Sequence, residues 1–247
     1  MPIKEQSFTI KELDSLVMTV ELTLVSIVQG VALAVLAQAA VPVLTNLDAA
    51  LWPYVASGLT IIMLFWSRSV LHTLTVIRWP LEFLHNFLYI ASTLVETVVF
   101  TQLAAPLNWF ALGVAYGFFI WFLFAADLRL IRRRLDEYNL PGALALLTAV
   151  EREQILNVRY LMPAAVLFNF FAALAIHRAP QLFLARRWHA AIGCLQLAVA
   201  VGYLTYSVRF YKRLLPFIVA AQYEWNGEEM KKNDERGTMS AELKTTS

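Results

Sequence analysis

The sequence predicts an all-α polytopic membrane protein of six transmembrane helices, with an amphipathic cytoplasmic segment between the fourth and fifth. Three observations carry that expectation. Of 247 residues, 59% are apolar and only 15% are charged, more apolar surface than a soluble fold of this size covers. The charges are gathered in short blocks instead of being spread along the chain. Between those blocks lie apolar runs near the ~20 residues needed to cross ~30 Å of hydrocarbon.

In order, the runs are Leu16 to Leu36, Leu51 to Trp66, Leu81 to Leu103, Trp109 to Leu128, Tyr160 to Ile176 and His189 to Val208. Arg68 and His72 close the second, and the helix is free to continue past them. The first is preceded by Lys4, Glu5, Lys11, Glu12 and Asp14 and is too long for a signal core, so it is expected to stay in the mature chain. Short connections near Thr45 to Asp48 and Ala104 to Asn108, flanked by Pro42 and Pro106, fit tight external hairpins. A longer break, Asp127 to Val158, opens with Arg132, Arg133 and Arg134 and turns at Asn139, Pro141 and Gly142. It then continues with Leu144, Leu147, Val150 and Ile155 at near-helical spacing. This piece reads as a helix on the cytoplasmic surface or as an extension of the fifth crossing.

Residues 1–15 form a cytoplasmic N-terminus in this reading, 16–222 the six-helix domain, and 223–247 a disordered cytoplasmic tail rich in Glu, Lys, Asn, Ser and Thr. Basic residues set the orientation. Lys4, Lys11, Arg68, Arg78, Arg129, Arg132 to Arg134, Arg152, Arg159, Arg209, Lys212 and Arg213 fall on one side, against Arg178, Arg186 and Arg187 on the other. The positive-inside rule puts both termini in the cytoplasm. Topology thus accounts for the basic residues, and the net charge of +2 calls for no nucleic-acid partner.

Polar residues within the runs carry the functional information, because ionisable groups in hydrocarbon are costly and face partners, cavities or pathways. The third run is the richest. At 100° per residue, Glu82, His85, Asn86, Tyr89, Thr93, Glu96 and Thr97 form one stripe, with Phe83, Leu84, Ile90, Leu94, Val95 and Val98 over much of the remainder. From Glu82 to Glu96 the stripe rises about 21 Å. Glu96 lies well inside the run with no basic residue near it in sequence, and is the leading candidate for a functional acid. The same stripe can instead bind neighbouring helices by hydrogen bonds. On the first run Thr19, Thr23, Ser26 and Gly30 share a narrow sector with Gln29 beside it, which lets helices approach closely. Glu21 lies on a different face, near the cytoplasmic end.

Other chemistry is poorly supplied. Cys194 is the single cysteine and reads as a packing residue. His72 and His85 are expected near one membrane face and His177 and His189 near the other, a poor arrangement for haem or metal. The sequence contains no G-x-S-x-G, H-E-x-x-H, phosphate loop or dinucleotide fingerprint. No enzyme activity, cofactor or metal is expected.

The chain resembles the six-helix potassium channels of bacteria and lysosomes. Their first helix begins with a Phe-Ser-Asp-Gly-Val motif, and their second ends in an aromatic pair followed by basic or histidine residues. Gln29, Gly30 and Val31 stand where that motif has Asp, Gly and Val, and Pro42 closes the helix. Phe65, Trp66 and His72 resemble the end of the second helix, Asn86 a polar residue early in the third, and Tyr116 and Gly117 a feature of the fourth. The likeness covers about the first half of the chain, and Ile27, Val28 and Gln29 replace Phe, Ser and Asp. The resemblance implies a homo-oligomer in a bacterial inner membrane that conducts a monovalent cation such as potassium. The expected pathway residues are Glu96, Thr93, Tyr89, Asn86, His85, Ser26 and Gln29. The alternative is a non-transporting accessory or scaffold protein in the lipid bilayer. Water along the stripe favours the first, and full pairing of the stripe inside one protomer favours the second.

Overall fold

The computed structural model describes the backbone of residues 10–75, 83–137 and 140–245, and the side chains of 19–70, 83–137, 140–221 and 223–224. Every regular element among them is helical: α1 (Ile10–Thr45), α2 (Trp52–Thr75), α3 (Phe83–Phe100), α4 (Pro106–Glu137), α5 (Pro141–Leu156), α6 (Met162–Arg178) and α7 (His189–Thr245). Among the described residues five stretches are long and apolar enough to cross a membrane: Thr19–Thr45, Phe83–Phe100, Pro106–Glu137, Pro141–Arg178 and His189–Ala221. The sequence expects six. α2 is not among the five over its described side chains, which end at residue 70.

α3 shows why the bundle belongs in lipid. Its polar face points inward, burying Tyr89, Ser92, Thr93 and Glu96, while Phe83, Leu84, Phe87, Ile90, Leu94 and Val98 are exposed. A helix in water has the opposite arrangement. Leu195 and Val199 on α7 and Phe122 on α4 extend the same outward apolar surface, far more than a monomeric soluble protein leaves uncovered.

α4 does not stop where hydropathy falls at Leu128. Arg and Leu are good helix formers, and the helix continues through the basic cluster to Glu137, with Arg132 bonded to Glu151 at 2.8 Å. α5 and α6 are joined without a break by a π-helical turn, Asn157–Leu161. Pro163 opens the first turn of α6. Its nitrogen has no proton to give the carbonyl four residues back, which is where the α pattern gives way. The piece between the fourth and fifth runs is therefore an extension of the fifth. Its inward face is Ala143, Leu146, Leu147, Val150, Glu153 and Gln154, so Leu144 and Ile155 of the expected stripe are only partly buried.

The α1–α2, α3–α4 and α6–α7 connections meet at one end of the bundle. There Asp48, Leu51, Ala104 to Leu107, Leu184 and His189 line an open pocket of about 380 Å³, and Arg187 reaches Asp48 at 3.1 Å. Tyr54 anchors this hairpin end: its hydroxyl donates to the His189 carbonyl at 3.0 Å, and its ring meets Trp109 edge-on. Close packing of α4 on α6 depends on Gly117, where a Cβ would come within 2.8 Å of a Val166 methyl. At the opposite end α4, α5 and α7 share an apolar cluster of Leu130, Ile131, Ala143, Leu146, Val150, Leu214 and Ile218. Beyond it Glu224 accepts a hydrogen bond from the Gly142 amide at 2.8 Å. The α7 backbone stays helical to Thr245, over residues whose composition predicts disorder. Glu, Lys, Met and Ala favour helix locally, although that segment offers little apolar surface to pack.

Candidate functional site

Inside the bundle the polar residues fall into two layers separated by an apolar plug. The lower layer, nearer the end opposite the hairpins, is built on Arg68 of α2. Its two terminal nitrogens donate to Glu153 Oε1 at 2.5 Å and Gln154 Oε1 at 2.7 Å, and its guanidinium carbon lies 5.2 Å from the centre of the Phe124 ring. Gln154 Nε2 donates in turn to the Phe124 carbonyl at 3.0 Å and, more distantly, to Asp127 Oδ2 at 3.4 Å. The π turn places Asn157 to receive the Tyr203 hydroxyl at 2.9 Å and to donate to Gln154 at 3.4 Å. Asp127 Oδ1 is 2.8 Å from His85 Nδ1, and Glu21 of α1 is an electrostatic neighbour of that histidine. Five helices and the π turn therefore meet through charged or amide side chains. Glu153 is 3% exposed and Gln154 2%.

The upper layer is built on Glu96, which is 1% exposed. Gln29 of α1 and Thr93 of α3 are joined by a long Nε2–Oγ1 contact of 3.5 Å. Thr93 and Ser92 each donate a hydroxyl to the Tyr89 carbonyl, at 3.2 and 2.8 Å. Gln29 also adjoins the Glu96 carboxyl, and Tyr89 and Tyr116 are electrostatic neighbours of the same acid. Among the described residues, no hydrogen bond of good geometry reaches either oxygen of Glu96, Gln29 Oε1 or the Tyr89 hydroxyl, although Gln29 lies against both Glu96 and Tyr89, and Ser69 of α2 lies against the Tyr89 hydroxyl.

The layers are stacked in register. Glu96 and His85 are 11 residues apart on α3, and Tyr116 and Asp127 are 11 apart on α4, which is about 16 Å along either helix. Val25, Phe65, Ile120, Leu123 and Phe124 fill the space between. Phe65 stacks on the Tyr89 ring at 4.9 Å and 15°, so the tyrosine belongs to the plug by its ring and to the upper layer by its hydroxyl.

The expected pathway residues are thus divided. Glu96, Thr93, Tyr89 and Gln29 come together in the upper layer, and His85 joins the lower. Asn86 is half-buried one position further along α3. Ser26 is apart from all of them, exposed on the outward face of α1 with its hydroxyl bonded to the Leu22 carbonyl at 2.8 Å. Glu82 and the side chain of His72 lie outside the described residues.

Sequence reasoning missed most of the lower layer. Arg68 counted only as a topology marker, and Glu153 and Gln154 fell in a segment read as a cytoplasmic surface helix or an extension of the fifth crossing. One signal was there: Glu153, Gln154 and Asn157 continue the stripe of Ala143, Leu146, Leu147 and Val150 at helical spacing. An apolar stripe that turns polar without changing face meets a polar partner.

Comparison with known proteins returns no match to a family model, to a curated protein or to a solved structure.

Proposed function

We propose that the chain is a membrane ion pathway for monovalent cations, assembled as a homo-oligomer, in which each protomer carries its own route between α1, α3 and α4. The observation that carries this reading is the stacking of two buried polar layers on the inward face of α3 with the Val25, Phe65, Ile120, Leu123 and Phe124 plug between them. Buried ionisable groups at successive depths are the material of ion and proton routes, and an apolar constriction between them is a gate that closes by excluding water. The resemblance to six-helix potassium channels adds the oligomer and the cation.

α2 is the sixth crossing in this reading. Tyr54 holds it at the hairpin end and Arg68 at the lower layer, 14 residues apart, about 21 Å along the helix. With six crossings and the basic residues of the α4–α5 region on the inner side, both termini lie in the cytoplasm.

The test is flux of potassium, sodium and protons, one at a time, into liposomes containing the purified protein. Glu96→Gln keeps shape and removes the titratable group, and should lower flux at least ~10-fold, the loss expected when a charge-assisted contact of about 1.5 kcal/mol is removed. Phe65→Leu thins the plug and should raise it. No flux of any ion from the parent or from Phe65→Leu, over several voltages and pH values, would overturn the pathway and leave the scaffold reading, in which the polar layers only join helices.

A further inference from the structure

We infer that the upper layer is a binding site for one dehydrated monovalent metal cation, of the sodium or potassium class, held by Glu96, Gln29 and Tyr89. The inference deepens the ion-pathway reading and rests on it for its place in transport, but its binding test is independent of flux.

The site is defined by what its oxygens lack. Burying a polar atom without a partner is costly, and isolated cases occur in many folds. Here four such atoms belong to three neighbouring residues, each at least nine-tenths buried: both carboxylate oxygens of Glu96, the Gln29 carbonyl oxygen and the Tyr89 hydroxyl. They come from two helices, α1 and α3, and Thr93 adds a hydroxyl oxygen that already accepts from the Gln29 amide.

Oxygen is the ligand of hard cations. No nitrogen or sulfur ligand stands among the three residues, which disfavours a transition metal. The charge count selects the valence. Glu96 is the single carboxylate of the upper layer, whereas His85, Asp127, Glu21 and Arg68 belong with the lower layer across the plug. A monovalent ion leaves the layer neutral, while a divalent ion would leave an uncompensated buried positive charge. The Gln29 amide contact with Thr93 is 3.5 Å long, and the same side chain lies against Glu96 and Tyr89, so turning its oxygen toward a cation at their centre gives up only long contacts.

The experiment is thermal unfolding of the full-length protein in detergent, titrated with sodium chloride or potassium chloride against choline chloride at constant ionic strength. A ligand that binds only the folded state raises its stability with a saturable dependence on concentration. The expected result is a saturable rise in Tm with sodium or potassium and none with choline. Glu96→Gln should abolish it, and Tyr89→Phe, which deletes the hydroxyl and keeps the stacked ring, should raise the half-saturating concentration about fivefold. The unfolding transition of each variant in choline shows that it is folded. Equal stabilisation by all three salts, or a cation-specific rise that survives in Glu96→Gln, overturns the site. Flux of protons alone, unaffected by sodium or potassium and with no cation-specific stabilisation, overturns it too and assigns Glu96 to proton transfer. Saturable stabilisation lost in Glu96→Gln, without flux in the parent, keeps the site and removes the pathway.

Discussion

The two polar layers contain the same kinds of side chain in the same helical bundle, yet one is built mostly of matched pairs and the other mostly of unmatched oxygens. In the lower layer Arg68 is matched to Glu153 and Gln154, Asp127 to His85, and Asn157 to Tyr203, with one oxygen each of Glu153 and Glu21 left over. In the upper layer Glu96, Gln29 and Tyr89 present four oxygen atoms with no partner. A satisfied network fixes how helices sit against one another, because each of its members is costly to bury alone. An unsatisfied cluster lowers stability, and persists where a ligand or a reaction makes use of it. The difference divides the bundle into a clamp, joining α2, α4, α5 and α7, and a receptive layer between α1 and α3.

The largest effect expected from this comparison is at the clamp. Arg68→Met leaves Glu153, 3% exposed, as a buried charge without its cation, at a cost of about 3–5 kcal/mol. Removing both charges, as Arg68→Met with Glu153→Leu, should recover most of that loss, since apolar replacement of a whole buried pair is often neutral or stabilising. Thermal unfolding of the two single variants and the double variant in detergent measures the coupling. Additive losses would mean that the pair is not a unit and that the contrast between the layers is overstated.

A smaller effect of opposite sign is expected above the plug. Glu96→Leu exchanges two unpartnered oxygens for apolar atoms of similar bulk, and in the absence of a bound cation should stabilise the protein by about 1–3 kcal/mol. Unfolding in choline chloride is the measurement. A loss of stability would show that Glu96 has a structural partner, which would make the upper layer a second clamp.

How much of this was legible beforehand follows from what each signal encodes. The inward stripe of α3 was readable because polar residues at 3.6-residue spacing inside an apolar run have one geometric meaning, and Tyr89, Thr93 and Glu96 are all buried as that spacing implies. The helix ends were less legible. Hydropathy marks where lipid contact stops, so it ended the fourth run at Leu128 although Arg132 to Arg134 continue α4 to Glu137. Arg68 and Glu153 were hidden for a related reason. A charge near the end of an apolar run looks the same in sequence whether it meets water or a partner 85 residues away, and only the packing of α2 beside α5 decides between them. Ser26 shows the reverse error: its neighbour Gln29 is buried, but three residues turn the helix by about 300°, and the serine faces outward.

The smallest effect is expected furthest from both layers. Deleting the residues after Asn226 removes the distal part of α7 and keeps Glu224, whose carboxylate caps the Gly142 amide at the start of α5. The deleted segment is rich in Glu, Lys and Thr and holds few apolar residues. Without an apolar stripe a helix draws little stability from packing, and helicity in water is marginal on propensity alone. Membrane insertion and Tm in detergent should therefore stay as in the full chain, with the change in stability within about 0.5 kcal/mol, as for surface changes generally. Glu224→Ala in the full-length chain is the internal contrast, because it removes a charge-assisted hydrogen bond to a backbone donor and should cost about 1.5–3 kcal/mol where that bond is shielded from water. If truncation after Asn226 proves the more damaging of the two, the distal helix docks on the bundle. The clamp would then extend beyond the contacts of α7 with α2, α4 and α5.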